Sequence, residues 1–521
     1  MSTPSQQQDG LARGRLSTAD AVAISVSILT PGLAMLLNVS GVAATAGGST
    51  PLAFLLGGIA CLALAFVVVG FTRRMASAGY AYTYVSRSLG RSPGFLAGWL
   101  YAFAFICFVP MTMAAVAYLV CDLFHLHASW WFPVFCAGMV VVAMLSVVNV
   151  RATARVQIGI GVATVLAILL VDVVVTVRGG AQGNTLQPLT FAHTTKGGFS
   201  GVFYGIILGV TSYIGFETAA DFGEETANPR KAIPIAVIAS VIFAIILYVW
   251  TTYSLTIGFG LDNQAAFIAD PAALKTVADH YIGGWAGTLV EVGGILAALA
   301  ACAGCVTATT RTLYAMSREG VLPSFLTRTH PRYKTPVNAS IVVALAAIAF
   351  AAIIGFGFNQ AAFGQPITVY YFFATLATLA VIVVYIALCL GGIRYFKRTH
   401  ARWNPVLHVA VPLAGIALFA SALYGSIYPV PTRPLNATPY LVIAWTLAGI
   451  GVVLVLRKRR PEAIARVGSI LGEEAADEPE PAGPPASAPT GSTPTAPARM
   501  SRWTLDARAT TDAKHADTHE D

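Results

Sequence analysis

The chain has 521 residues, 56% of them hydrophobic and only 11% charged, with a net charge of +8 and a mean hydropathy of +0.70. Soluble domains carry about 25% charged residues, so this composition excludes a mainly water-facing surface and makes lipid the principal solvent. The positive charge does not indicate nucleic acid, because the basic residues fall in short loops between apolar runs, where they act as topology signals.

In chain order, residues 1–18 form a polar segment containing Arg13 and Arg15. The apolar run that follows, from about Ala19 to Ala46, is too long for a signal-peptide core of about 7–15 residues. Ala44-Thr45-Ala46 mimics a cleavage site and is read as the outer end of a retained helix. Twelve apolar spans are expected, near 19–45, 51–71, 95–121, 130–149, 155–177, 200–222, 233–259, 286–315, 336–357, 367–392, 405–427 and 438–456. No charged residue lies between Lys334 and Arg394, an interval that holds two spans of about 20 residues each.

Twelve spans put both termini on one side. Helix ends and loops on that side carry 23 basic residues, while the opposite side has 4, Arg178, Lys196, Lys275 and Arg433; the other 5 of the 32 lie in the distal tail. This asymmetry predicts cytoplasmic termini and a multi-pass protein of the inner (plasma) membrane. Residues 19–457 then form one membrane domain, and residues 458–521, rich in Pro, Ala, Thr and acids, are expected to be a disordered cytoplasmic tail.

Two spans are interrupted. Thr30-Pro31-Gly32 lies near the middle of span one, and Gly215 lies at the corresponding depth of span six. Proline removes a backbone donor and glycine accepts unusual dihedrals. The loops after spans two and seven, about 72–94 and 260–285, have similar length and lie on opposite sides. The pattern suggests two inverted copies, about 19–177 and 200–392, with spans eleven and twelve (405–456) outside them. Broken helices offer free N–H groups to a carboxylate and free C=O groups to an ammonium. Thr30, Pro31 and Gly32 facing Ile214, Gly215 and Phe216 would thus bind an amino acid without a side-chain ion pair, which points to a solute carrier.

Glu217 opens the second half of span six, and Asp221 follows one turn later on the same face. A charge within a bilayer is costly, and two acids so spaced repel when both ionise; the pair is read as a coupling or gating element. The bland alternative makes Glu217 a cap and puts Asp221 at the cytoplasmic interface. Asp172 and Glu291 lie near the outer ends of spans five and eight and are read as reaching the outer surface, with lining of the solute path as the alternative. Residues Met75 to Gly90 form an amphipathic inner segment, either a gate element or a passive connector. Tyr370, Tyr371 and Phe372 are read as an outer lid or as an interfacial aromatic belt.

The seven cysteines sit in or at the ends of apolar runs and form no disulfide framework. Cys302-x-x-Cys305 has no second pair or histidine at ligand spacing, and His125, His127, His193, His280 and His408 are scattered. No catalytic residue, metal or cofactor is expected.

Several stretches resemble the amino acid–polyamine–organocation (APC) permease superfamily. They are Ser77-Ala78-Gly79-Tyr80-Ala81-Tyr82 with Gly94-Phe95-Leu96-Ala97-Gly98-Trp99, then Gly215-Phe216-Glu217 through Pro234, Arg311 to Gly320 with Leu322-Pro323, and Lys334-Thr335-Pro336. The resemblance spans about 17–460. It implies a LeuT-like five-plus-five inverted-repeat fold with helices one and six broken, solute binding at those breaks, and uptake driven by protons or by exchange. It puts Glu217 at the family's helix-six acid, linked to gating. Thr30-Pro31-Gly32 replaces the glycine-rich break of many relatives and is closer to polyamine importers. Span five lacks the lysine of some proton-coupled members, and Asp221 stands where a neutral residue is common, which favours an amine-rich or cationic solute. The expectation is an importer of an amino acid or related amine, with a polyamine or ethanolamine carrier of the same fold as the alternative and a solute sensor as a third reading. Its partners would be that solute, protons and membrane lipid; the oligomeric state is left open.

Overall fold

The structure, a computed structural model, describes residues 17–75, 80–148, 153–195, 198–222, 226, 228–318, 323–329, 335–357, 365–399, 404–428 and 431–459. The segment before residue 17, residues 76–79 of the amphipathic connector, Lys196, Glu224, Glu225, Lys334 and the tail from residue 460 lie outside the described residues. Among those described the fold is all-α, with no strand.

Eleven helical runs among the described residues are long and apolar enough to cross a membrane. The first, Ala21–Thr72, has 52 residues, far more than the roughly 20 that one crossing needs. A tight turn at Gly47–Ser49, with Gly47 at φ 56°, divides it into spans one and two. Eleven runs therefore supply twelve spans. Span two is Thr50–Thr72, span three Arg91–Leu123, span five Thr153–Arg178, span seven Pro229–Phe259, span eight Gly284–Arg318 and span ten Gln365–Thr399. Local chemistry sets these ends. Span seven starts on Pro229, whose missing N–H costs nothing in a first turn, and stops at Gly260, which takes a left-handed φ of 86°.

The order of elements repeats. A broken span and a long span are followed by an amphipathic connector in both halves: Tyr80–Leu89 after span two, and Gln264–Ala269 with Ala273–Tyr281 after span seven. Ala273, Leu274, Val277, Ala278 and Tyr281 are buried, a stripe at helical spacing that seats the last of these helices on the spans beneath it.

Spans two, six and ten are largely enclosed by protein, whereas spans four, five and twelve show large apolar side chains such as Met144, Leu166 and Leu447 at the periphery. In lipid such side chains need no cover, while every backbone polar group must be paired within the protein. Breaks in a spanning helix are therefore tolerated only at the enclosed centre, and there they occur.

Candidate functional site

Span one is helical over Thr18–Ile28, breaks at Leu29 and Thr30, and resumes at Pro31. Thr30 adopts the left-handed conformation, φ 45° and ψ 59°, which is rare for a β-branched residue and is kept only where the surroundings impose it. No side chain caps the resumed helix, so its first N–H groups are available. Ala34–Asn38 then winds as a π-helical turn, a feature concentrated at functional sites.

Span six is helical over Phe199–Tyr213, breaks at Ile214 and Gly215, and continues as a 3₁₀ segment, Phe216–Phe222. Gly215 has φ 119°, and a Cβ there would lie 3.0 to 3.2 Å from Ile28 of span one. The two breaks thus touch, and glycine is required both by conformation and by the close approach.

A cavity of about 90 Å³ lies between them. Leu29, Thr30 and Asn38 line it from span one, and Thr211, Ser212, Ile214, Gly215 and Thr218 from span six. Tyr101, Phe105, Phe108 and Thr112 of span three, Cys305 of span eight and Tyr370 of span ten complete it. No charged side chain lines it among the described residues. Of the residues expected to bind solute, Thr30, Ile214 and Gly215 face the cavity and Pro31, Gly32 and Phe216 do not. Pro31 is buried where the helix resumes. Gly32 packs against Thr164, whose Cγ2 would lie 2.3 Å from an added Cβ. Phe216 is buried with its ring 6.3 Å from that of Tyr385.

A polar chain crosses one end of the cavity. Tyr370 Oη donates to Asn38 Oδ1 at 2.8 Å, and Asn38 Nδ2 donates to Ser212 Oγ at 2.8 Å. Tyr371 Oη donates to the Leu37 carbonyl at 2.7 Å, beside the π-turn. Spans one, six and ten are tied where the breaks meet. Sequence reading missed Asn38 and Ser212; the available signal was an asparagine inside an apolar run, which seeks a partner on a neighbouring helix. Tyr370, Tyr371 and Phe372 are all buried, so they belong to the interior and not to an interfacial belt.

Glu217 is fully buried and accepts three hydrogen bonds. The Gly215 N–H reaches Oε2 at 3.0 Å, Tyr385 Oη reaches Oε1 at 2.6 Å, and Tyr101 Oη reaches Oε1 at 3.3 Å. The carboxyl group holds the broken segment to spans three and ten from behind the cavity. Asp221 lies in the same 3₁₀ segment, and its side chain lies outside the described residues.

Asp172 and Glu291 depart from their expected place at the outer surface. Asp172 is 0% exposed and Glu291 1% exposed, and neither lines the cavity. Glu291 is buried because Lys275, on the amphipathic helix Ala273–Tyr281, lies 3.1 Å away; Asp172 is covered by span seven, where Thr251 Oγ1 lies 2.7 Å from Oδ2. Neither cover could be placed from hydropathy. The cysteines are free among the described residues, and no group of three metal-ligating side chains occurs among them.

The family model described as amino acid permease matches residues 16–455. A methylthioribose transporter of Bacillus subtilis (strain 168) is 28% identical over 339 residues, covering 61% of this chain and 70% of the relative. A low-affinity putrescine importer of Escherichia coli (strain K12) is 29% identical, covering 60% and 72%. A branched-chain amino acid permease of Lactococcus lactis subsp. cremoris (strain MG1363) is 26% identical over 475 residues, covering 85% and 95%.

Proposed function

This chain belongs to the amino acid permease family and is a multi-pass membrane transporter, not an enzyme; from that premise we propose that it imports an amino acid or related amine by alternating access at the cavity between the two breaks. The observation that carries this reading is the close approach of Gly215 to Ile28, which brings two helix interruptions to one cavity, lined by both Thr30 and Gly215, without a charged wall among the described residues. A zwitterion needs none. Its carboxylate suits the uncapped N–H groups after Thr30, and its ammonium suits the carbonyl end of span six at Ile214. Aromatic and apolar side chains of span three would receive the remainder.

Gate and coupling are proposed for the acids of span six. Glu217 ties the broken segment to Tyr101, which also lines the cavity, so solute binding and movement of the half-helix would share one linkage. Asp221, one turn further, would act with it on the cytoplasmic side. A proton gradient is the proposed driving force, and exchange is the second. The repeated order of elements supports an inverted-repeat architecture, and the basic-residue asymmetry supports cytoplasmic termini in the plasma membrane.

A polyamine or ethanolamine carrier is the second reading, favoured by the putrescine importer among the relatives. Against it stands the absence of a lining acid, among the described residues, for a second ammonium group. Uptake into proteoliposomes under an inward proton gradient, competed by alanine, lysine, glutamate, putrescine and ethanolamine, tests both. Competition by an α-amino acid but not by putrescine is expected. Competition by putrescine or ethanolamine alone selects the second reading, and no flux with any of them removes the carrier.

A further inference from the structure

Asp172 is a buried ionisable group that the site described above does not use and that, unlike Glu291, has no described lysine or arginine beside it. It lies on span five, six residues from the helix end at Arg178, which is about 9 Å of helix rise. Thr251 Oγ1 of span seven sits 2.7 Å from Asp172 Oδ2 and 2.9 Å from the carbonyl oxygen of Leu247. A threonine hydroxyl has one hydrogen to give. If it goes to an ionised Asp172, the short contact with Leu247 is left without a hydrogen. Both contacts are satisfied together when Oδ2 carries a hydrogen of its own, donates it to Thr251, and Thr251 donates onward to Leu247. The second oxygen, Oδ1, is buried and receives no hydrogen bond of ordinary geometry, the Ser254 hydroxyl of span seven being the further side-chain partner of the carboxyl group; a neutral carbonyl tolerates so thin a shell far better than an anion does. Glu217 is the opposite case, since its three partners are all donors.

We propose that Asp172 is a proton-binding site between spans five and seven, loaded and unloaded in the transport cycle. This rests on the reading of the chain as a carrier. A proton from solution forms the O–H bond at Oδ2; when spans five and seven shift and that bond breaks, the proton passes to water admitted to the opened site, and the Thr251 hydroxyl turns its hydrogen from Leu247 to the carboxylate. A polar string marks the way in. Thr176, one turn along from Asp172, lies 3.4 Å from the Ser254 hydroxyl, and its carbonyl accepts from the exposed Asn184 at 3.0 Å.

No described cation lies within 4.0 Å of the Asp172 carboxyl group. The charged and titratable groups on the elements packed against span five are engaged elsewhere or lie away from it. Tyr248 of span seven donates to the Leu29 carbonyl, and Tyr253 of the same span lines a peripheral apolar groove. On the amphipathic helix Lys275 pairs with Asp122 and Glu291, and Asp279 lies against Gly287. Arg178, on span five itself, donates to the Tyr281 carbonyl. The proton therefore has no fixed cation to compete with it.

Infrared spectra of the full-length protein in liposomes, titrated from about pH 5 to pH 9, read the site directly. Wild type should show a protonated-carboxyl band from a dry environment that fades with rising pH, is missing in Asp172→Asn, and moves to higher frequency in Thr251→Val, which takes away the acceptor. Asp172→Asn should lose accumulation driven by a proton gradient at least tenfold while solute exchange stays within twofold of wild type. A titrating band absent from wild type, or unmoved by Thr251→Val, overturns the proposal, and so does gradient-driven accumulation in Asp172→Asn equal to wild type. A wild type that carries no amino acid or amine overturns the carrier reading instead, and the band still decides the proton on Asp172.

Discussion

Glu217 shows how a single side chain holds open an otherwise unfavourable backbone. The break at Gly215 frees a buried N–H group, and the carboxylate one residue beyond Phe216 turns back to accept it. Tyr385 and Tyr101 fill the other oxygen. Replacing Glu217 with Gln preserves shape but turns one acceptor oxygen into a donor NH₂, so either the Gly215 N–H faces another donor or both tyrosine hydroxyls must turn to accept and their hydrogens lose this acceptor. Loss of such a bond in a buried site costs about 1–3 kcal/mol. Uptake by Glu217→Gln in proteoliposomes should fall about tenfold or more, or its pH profile should shift, between about pH 5 and pH 8. Equality with wild type over that whole range would rule out gating by this residue. Thr30 carries the matching strain in span one, where its left-handed backbone makes the chain turn before Pro31.

At the scale of elements, the amphipathic helix Ala273–Tyr281 is held by more than its apolar stripe. Lys275 reaches Asp122 at the end of span three at 2.5 Å and Glu291 in span eight at 3.1 Å, so one side chain joins three elements. Burial works against its charge, but the hydrogen bonds and charges of Asp122 and Glu291 prevail and raise the ammonium above the ordinary lysine value. With the folded value raised, the stability this charge contributes is complete below about pH 10.4 and is lost as pH climbs through the higher folded value. Lys275→Met should lower unfolding stability in detergent by about 1–3 kcal/mol, less than the ~3–5 of a fully buried pair because the lysine keeps some solvent. Adding Glu291→Gln should recover most of that loss, since the stranded carboxylate causes it. A Lys275→Met protein as stable as wild type would show that the apolar stripe alone seats the helix.

For the whole molecule, the transporting part and the remainder separate cleanly. The family match ends at residue 455 and the last span at Arg459. Removal of residues 461–521 should leave solute flux within about twofold of the full chain, because the family match ends before them and their Pro-, Ala- and acid-rich composition holds too little apolar surface to add to a core. Flux abolished with solute binding retained would favour a sensor whose tail carries the signal. The spans were legible in the amino-acid order, most of their ends to within a few residues, because lipid imposes one rule along the chain: about 20 apolar residues per crossing, with backbone groups paired within the helix; span ten, expected to stop near 392, runs on to Thr399. The breaks at Thr30-Pro31-Gly32 and Gly215 were legible for the same reason, since proline and glycine disturb that pairing wherever they stand. Lateral neighbours were not. That Asn38 would meet Ser212 and Tyr370, that Glu217 would find two tyrosines, and that Asp172 and Glu291 would be enclosed depended on which helices lie side by side and how each is rotated. Hydropathy has no directional content around a helix that is apolar on every face, so those pairings exist only once the helices are packed.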